Sequence, residues 1–517
     1  MIYKTNTFWS YLCNESPFVV NQVKELLTRK DYDFDTKTYN IRKFYQKINR
    51  IEVDGIVYES IRFPTGLIKF IINKIPLSIE EKEHRFKEYT EKEVLDYANL
   101  VKKINPTFEV RDYQIDACLA SLNNFQSLIH SSVGSGKTSV MSLVCKILED
   151  DRILILNGNN IILQQIYDRL LSFNITDVSW NPSKEPDYTK RIVLINTKSS
   201  DERLNRQDEE YLKFLKQVNT VIWDECQHLQ ALTNFEPIFY MDNINLRHMI
   251  GYSGSPFRNY DHPYNNADDF TLIAIIGEPA FSYEMKDTIE DKNIAQPYSY
   301  FINYPNKEAW LPDHLKDNYF VQYRMNIIHN KARNRAGVEM LKFLNKNGVK
   351  TLASINNIKP GQNLMKTLKE EGVDSLFICG DNTIHEWKPT KNGKLKLKTS
   401  EGGVNEVKEA FDKGYNIIFG STVMDEGVDI EEFQAVVLFS GGKTPIAGIQ
   451  RVGRASRKKK TGKNISFVID FKDVGGALIF QNQYEKRKKM MKDSGVIDIP
   501  NVYDFCKMIE ELHTEME

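Results

Sequence analysis

Ser131-Ser132-Val133-Gly134-Ser135-Gly136-Lys137-Thr138 follows an apolar stretch and leads into another, Val140 to Leu148. A phosphate-binding loop has the form Gly, four residues, Gly-Lys-Ser/Thr, and only the first position departs from it, Ser131 standing where Gly is usual. A cradle for a triphosphate needs backbone N–H groups turned inward. Gly134 and Gly136, on either side of Ser135, can take the positive φ values such a nest demands. Lys137 can then reach the β and γ phosphates and the Thr138 hydroxyl can bind Mg²⁺, while the helix that follows points its positive end at the same anion. The stretch therefore predicts a strand, a loop and a helix built to hold ATP.

Working outward, 517 residues are too many for one core, and a prior of roughly 150 residues per domain gives three or four domains. The 41% hydrophobic and 27% charged content is that of a soluble globular protein. No apolar run reaches the roughly 20 residues needed to span a bilayer, and Met1 to Thr5 lacks a signal-peptide core. The expectation is a cytoplasmic protein, of a phage or its bacterial host, with no membrane partner. Six cysteines without a C-x-x-C pair predict buried free thiols and exclude a zinc or disulfide framework. The net charge of −1 decides nothing about nucleic acid, because a footprint depends on local charge. Basic residues do collect at Arg451 to Lys463 and at Lys486-Arg487-Lys488-Lys489.

Residues 1–104 read as a small α+β accessory domain with a charged helical connector from Glu80 to Lys103. A helix is expected at Asn21 to Leu27, a hairpin around Val53-Asp54-Gly55-Ile56, and a further helix from Leu67 to Ile75. From Phe108 strands alternate with helix-length segments: Ser127 to His130, Arg152 to Leu156, Arg191 to Ile195, Thr220 to Trp223 and His248 to Tyr252. A second series runs Lys350 to Ser354, Ser375 to Ile378, Asn416 to Gly420, Ala435 to Phe439 and Asn464 to Ile469. Such alternation predicts an α/β fold with two tandem parallel-sheet domains, 105–290 and 291–475, followed by a helical tail at 476–517. The linker is expected between about 280 and 335, where prolines interrupt regular structure. Asn392-Gly393, flanked by alternating Lys and apolar residues, predicts a type I′ hairpin in a polar insertion at 385–400.

Val221-Ile222-Trp223-Asp224-Glu225-Cys226-Gln227-His228 ends the fourth strand of the first series with two acids. In a phosphate-loop protein such a strand-end Asp holds Mg²⁺, and the adjacent Glu can take a proton from the attacking water. With these residues in hand, the chain resembles the superfamily two helicases and translocases, over Phe108 to Asp470. The resemblance implies two RecA-like domains, ATP and Mg²⁺ as cofactors, and hydrolysis stimulated by nucleic acid. It places Gln114, in Arg111-Asp112-Tyr113-Gln114, against adenine, and Asn159, Asn160 and Thr197 on the nucleic-acid backbone. It makes Asp224-Glu225-Cys226-Gln227 the DExH-type box, with Gln227 where relatives carry His or Asp, and Ser253-Gly254-Ser255-Pro256 the coupling motif. In the second domain it sets Gly427 and Asp429 near the nucleotide and Ser421 and Thr422 near the strand. Gln450, Arg454 and Arg457, spaced as Gln-x-x-Gly-Arg-x-x-Arg, would orient and stabilise the transferring phosphate; Arg suits that charge by its planar fork.

Within that superfamily the chain is most similar to the UvsW-type phage DNA helicases. Gly254 stands where most relatives have Ala; Ile276 to Phe281 continuing to Pro297 resembles the bridge of that group; and Phe63-Pro64-Thr65-Gly66-Leu67 before a helix resembles its extra domain. The likeness implies a motor that remodels branched or forked DNA in recombination and repair, with duplex or branched DNA and single-strand-binding or recombination proteins as partners. The motor subunit of a restriction or defence complex, an RNA helicase and a silent nucleic-acid clamp are the alternatives. The four residues Lys137, Asp224, Glu225 and Arg457 speak against a silent clamp. With no long heptad seam, a monomer is expected.

Overall fold

The computed structural model describes all residues except 5–7, 34–37, 54–55, 82–86, 183, 231–245, 259–261, 308, 317, 380–382, 403, 421–431, 442–463 and 515–517. The described chain forms two compact units, Met1–Ser131 with Gly136–Tyr283, and Ser132–Ser135 with Glu284–Glu517.

In the first unit a seven-stranded sheet runs in the order Val178–Ser179, Ile192–Asn196, Ile153–Asn157, Thr220–Asp224, His248–Ser253, Gln126–Ser131, Pro279–Tyr283, every neighbour parallel. The central strands are buried along their whole length, as a sheet covered on both faces requires, and their near-continuous apolar runs are the sequence form of that burial. One covering helix, Ala267–Ile276, is buried all round, the pattern of a helix enclosed by protein on every side.

The N-terminal region does not stand apart. Its five-stranded sheet runs Gln46–Val53, Ile56–Pro64, Trp9–Leu12, Ile2–Lys4, Ile79–Glu81, and its Phe63, Leu67, Phe70 and Ile71 join one apolar cluster with Phe270, Ile273 and Ile276. The hairpin forms as expected, with Val53 opposite Ile56. Part of the expected connector is instead an edge strand, because Ile79–Glu81 pairs in parallel with Ile2–Lys4. The connector helix starts only at Glu91–Ile104, after a capping box in which Thr90 and Glu93 satisfy each other's backbone N–H. Gly66 marks the closest approach: a Cβ there would lie 2.2 Å from the Ile273 carbonyl oxygen, so only glycine fits where the turn meets the helix.

In the second unit a nine-stranded sheet runs Leu395–Glu401, Thr383–Pro389, Ser375–Ile378, Ile417–Gly420, Thr351–Ser354, Ala435–Leu438, Ile465–Phe471, Gln296–Ile302, Ile497–Asp498. It is parallel apart from the hairpin at one edge. Three expectations are corrected here. The stretch read as linker contains the strand Gln296–Ile302, Pro297 included. Gln296 N donates to Asn464 O at 2.9 Å on one flank, so the nitrogen at 297 faces the other, where Ile497–Asp498 pairs only with Tyr298 and Ser299 and no donor is needed. The C-terminal residues are not a tail: Ile497–Asp498 joins the sheet, and Phe505, Ile509 and Leu512 of Val502–Thr514 are buried in the same core as Phe467. The Asn392-Gly393 hairpin exists, but only Gly393 takes a positive φ, +73°. Gly393 N donates to Thr390 O and Thr390 N to Lys394 O, which is a type I turn closed by a glycine bulge, the form a longer loop selects over type I′.

All six cysteines are free and five are buried. No helix among the described residues is long and apolar enough to cross a membrane.

Candidate nucleotide and nucleic-acid site

The sequence Gly134-Ser135-Gly136 turns the chain from strand Gln126–Ser131 into helix Lys137–Ile147 by placing both glycines in the left-handed region, at φ +86° and +85°. Side chains strain that region, so the turn depends on them. Ser135 Oγ donates to Ser132 O at 2.7 Å, and Ser139 N and Val140 N bond to Gly136 O, leaving Lys137 and Thr138 in the first turn of the helix. Lys137 Nζ donates to Ser131 O at 3.1 Å. Four loop residues, Ser132–Ser135, count with the second unit: Ser132 Oγ and Thr288 Oγ1 are 2.5 Å apart, and a Cβ on Gly134 would lie 2.9 Å from Ile294 Cγ2.

Gln114 lies in helix Asp112–Leu122, its amide so near the loop that a Cβ on Gly136 would meet Nε2 at 2.5 Å. Gln114 Oε1 accepts from Arg111 N at 3.1 Å. Next to it Tyr113 stacks on Tyr283 with ring centroids 3.9 Å apart and planes 7° from parallel, a flat platform that the sequence reading missed.

Asp224 ends its strand fully inside the unit. Burial raises its carboxyl, the Glu225 charge raises it further, and the Lys137 ammonium opposes both; the result is about 7. One side chain holds it directly: Asn157 Nδ2 donates to Asp224 Oδ2 and to Asp224 O, each at 3.2 Å. Asn157 was not foreseen, although it ends the strand paired beside Thr220–Asp224. A buried carboxylate beside a single ammonium and near a hydroxyl-bearing helix start is a donor set that suits a divalent cation completed by phosphate oxygens and water. No group of three or more His, Cys, Asp or Glu side chains among the described residues could hold a metal, so Thr138 and Asp224 are the residues that would.

Glu225 follows at φ +54°, an uncommon conformation for a side-chain-bearing residue that turns the chain sharply after the strand. The turn brings Gln227 back to donate from Nε2 to Glu225 Oε2 at 2.9 Å. Ser253 Oγ donates to Gln227 Oε1 at 2.6 Å, and Ser255 N donates to Ser253 Oγ at 3.0 Å. Glu225, Gln227, Ser253 and Ser255 thus form one hydrogen-bonded chain, while His228 is exposed.

At the ends of the neighbouring strands, Asn159 N donates to Asn157 Oδ1 at 2.7 Å and its side chain caps helix Asn160–Ser172. Asn196 Nδ2 bonds to Asn160 Oδ1 at 2.8 Å and Gly158 O at 3.0 Å, and its side chain caps the helix opened by Thr197. The structure therefore groups Asn159, Asn160 and Thr197 around Asn196, again a residue the sequence reading passed over, and joins the group to Asp224 through Asn157. Ser421, Thr422, Gly427, Asp429, Gln450, Arg454 and Arg457 lie outside the described residues.

Comparison with known proteins follows the same division. Residues 107–258 match the family described as type III restriction enzyme, res subunit, and residues 338–459 the helicase conserved C-terminal domain. A putative helicase, number 22, of Sulfolobus islandicus filamentous virus is 21% identical over 385 residues, 70% of this chain and 64% of its own length. This chain thus spans just under two thirds of that relative. The DNA 3'-5' translocase XPB2 of Sulfurisphaera tokodaii is 22% identical over 400 residues, 72% of this chain and 85% of its own. Among solved structures, S. cerevisiae Dbp5 bound to RNA and ADP BeF3 shares the fold at a TM-score of 0.52 and 15% identity, covering 81% of this chain and 97% of that one.

Proposed function

Since the chain belongs to the superfamily two ATPase helicases, we propose that it hydrolyses ATP to move along DNA and to remodel branched or forked duplexes. The observation that carries the reading is the unbroken set at the strand ends of the first unit: loop, Lys137, Asp224, Glu225, Gln227 and Ser253. The loop N–H groups and Lys137 bind the phosphates, and Gln114 lies where an adenine edge would be read. Thr138 and Asp224 hold Mg²⁺, which supplies charge neutralisation at the β and γ oxygens. Glu225 accepts the proton of the attacking water. Gln227 passes any displacement of Glu225 to Ser253 and Ser255, while Asn157 ties Asp224 to the Asn159, Asn160 and Thr197 group that grips the nucleic-acid backbone. In the second unit Arg454 and Arg457 stabilise the charge on the transferring phosphate, Gln450 orients it, Gly427 and Asp429 attend the nucleotide, and Ser421 and Thr422 the strand.

DNA is favoured by the printed function of the archaeal translocase, matched over most of its length. Branched substrates are favoured by the UvsW-type features, Gly254 and the N-terminal region seated on the first motor sheet. The match to a restriction-enzyme res subunit favours a second reading, a motor in a DNA-cutting assembly. Steady-state ATP hydrolysis separates them, measured with no polymer, single-stranded DNA, linear duplex, a branched junction and RNA, with EDTA and Lys137→Ala as blanks. Stimulation greatest on the junction supports remodelling. Equal stimulation by linear duplex supports the restriction motor, and stimulation by RNA alone overturns both.

A further inference from the structure

The second unit buries a charged network that the proposed reaction does not use. Arg333, in helix Lys331–Lys346, has no exposed surface; neither have Asp470 and Asp473, and Arg487 is 5% exposed. Arg333 Nε donates to Asp473 Oδ1 at 3.1 Å, and Nη1 to the Phe439 carbonyl at 2.7 Å. Its guanidinium lies over the Phe471 ring, 3.8 Å from the centroid. Arg487 completes the set, donating to Asp470 Oδ2 at 2.7 Å and Asp473 Oδ2 at 3.0 Å, while Tyr304 OH donates to Asp473 Oδ1 at 2.7 Å.

The partners' places in the chain give the network its meaning. Phe439 is the first residue after strand Ala435–Leu438, and Asp473 follows strand Ile465–Phe471. Between those two points the sequence carries Gln450, Arg454 and Arg457. One guanidinium thus bonds to the chain on both sides of the arginine-bearing segment. A second contact reinforces the first flank: Tyr323 OH donates to Ser440 O. The helix itself comes close there, since a Cβ on Gly337 would meet the Phe439 ring at 2.3 Å. Apolar residues of similar volume often hold a core at least as well as buried ion pairs, so such a network is weak evidence of stability and better evidence of a fixed register.

We propose that Arg333 is a positioning residue for ATP hydrolysis, setting both roots of the segment that carries Arg454 and Arg457, with Tyr323 as its second tie. The inference rests on the reading of those two arginines as stabilisers of the transferring phosphate. A group that stabilises developing charge must be held to a fraction of an ångström, and the loss from misplacement falls on the chemical step.

The test compares Arg333→Met, Tyr323→Phe and Arg457→Ala, singly and with each of the first two in the Arg457→Ala background, by DNA-stimulated kcat, KM for ATP and single-turnover rate, with thermal unfolding alongside. Tyr323→Phe removes one hydroxyl and no charge, so it keeps the test valid if Arg333→Met fails to fold. Each single change is expected to lower kcat at least about fivefold with KM for ATP within about twofold. Neither should lower the rate further once Arg457 is gone, because residues acting through one group are not additive. Wild-type kcat in Tyr323→Phe, or losses that multiply with Arg457→Ala as general damage would, overturn the inference. Full activity in Arg457→Ala alone would instead remove its premise.

Discussion

Asn157→Leu probes the one side chain that touches Asp224 and also reaches the Asn159 group. The change is close in volume and leaves the strand intact, but removes the donor to Asp224 Oδ2 and Asp224 O and the acceptor for Asn159 N. A hydrogen bond to a charged group contributes about 1.5–3 kcal/mol. Asp224 is already pushed up to about 7 by burial and by Glu225, so losing a donor further disfavours the ionised form that binds a cation. If the whole loss appears in the transition state, kcat falls roughly tenfold to 150-fold. Asn157→Asp should be worse, because it replaces the donor with a like charge beside two carboxylates. The assay is steady-state ATP hydrolysis with and without DNA at saturating Mg²⁺, with circular dichroism to confirm folding. Wild-type kcat in folded Asn157→Asp would refute the reasoning, since no arrangement of the site described here tolerates a third acid there.

Ser253→Ala cuts the chain between Gln227 and Ser255 while leaving Asp224 and Glu225 in place; DNA-stimulated ATP hydrolysis should stay within about threefold and strand displacement should fall at least about tenfold, and equal losses in both assays would reject a coupling role. Gly66→Ala forces a Cβ against backbone oxygens that cannot withdraw, so overpacking should cost about 1–3 kcal/mol, read as a lower Tm of the first unit's transition; an unchanged Tm counts against the tight seat. Acid stability is set partly by Asp473. Burial would raise its carboxyl, but the charges of Arg333 and Arg487 and the bonds from Tyr304 and Arg333 outweigh that and hold it below the usual carboxylate range. A depressed carboxyl contributes stability above the ordinary aspartate pKa of about 4 and loses it as pH falls through the lower folded value. The second unit's Tm should therefore drop steeply below that pH, and more shallowly in Asp473→Asn; parallel curves would show that Asp473 stores no such stability.

The sequence made the first unit's half of the site legible because its chemistry sits in contiguous motifs at strand ends, where a run of apolar residues announces the strand and Gly or an acid announces its end. Asn157 and Asn196 escaped for the opposite reason. Each is an ordinary polar residue whose role arises only when parallel pairing sets it beside Asp224 or Asn160, a juxtaposition across tens of residues. The same logic explains the misread stretches. Ile79–Glu81 is short and charged, and becomes a strand only because Ile2–Lys4 offers an edge. Pro297 reads as a breaker until the direction of its nitrogen is known. The C-terminal helix shows its spacing in sequence but not that Phe505, Ile509 and Leu512 face the second core.

Gln227 is where the departure from the usual motif becomes physically informative. The position must donate to Glu225 and accept from Ser253 at the same time. An aspartate there could only accept when ionised, and would set a further negative charge beside Glu225. A neutral histidine has one donor and one acceptor but titrates near neutral pH. A glutamine amide supplies both, fixed by geometry and independent of pH. The turn that permits this is the left-handed Glu225, which bends the chain back within two residues, and Gly251, whose missing side chain leaves room for Cys226: a Cβ there would lie 2.9 Å from its sulfur. The link from hydrolysis to the coupling motif in this protein is therefore built without a titratable group between Glu225 and Ser255. Its transmission should hold over the whole pH range in which Glu225 is ionised, whereas a Gln227→His variant would make it depend on imidazole protonation.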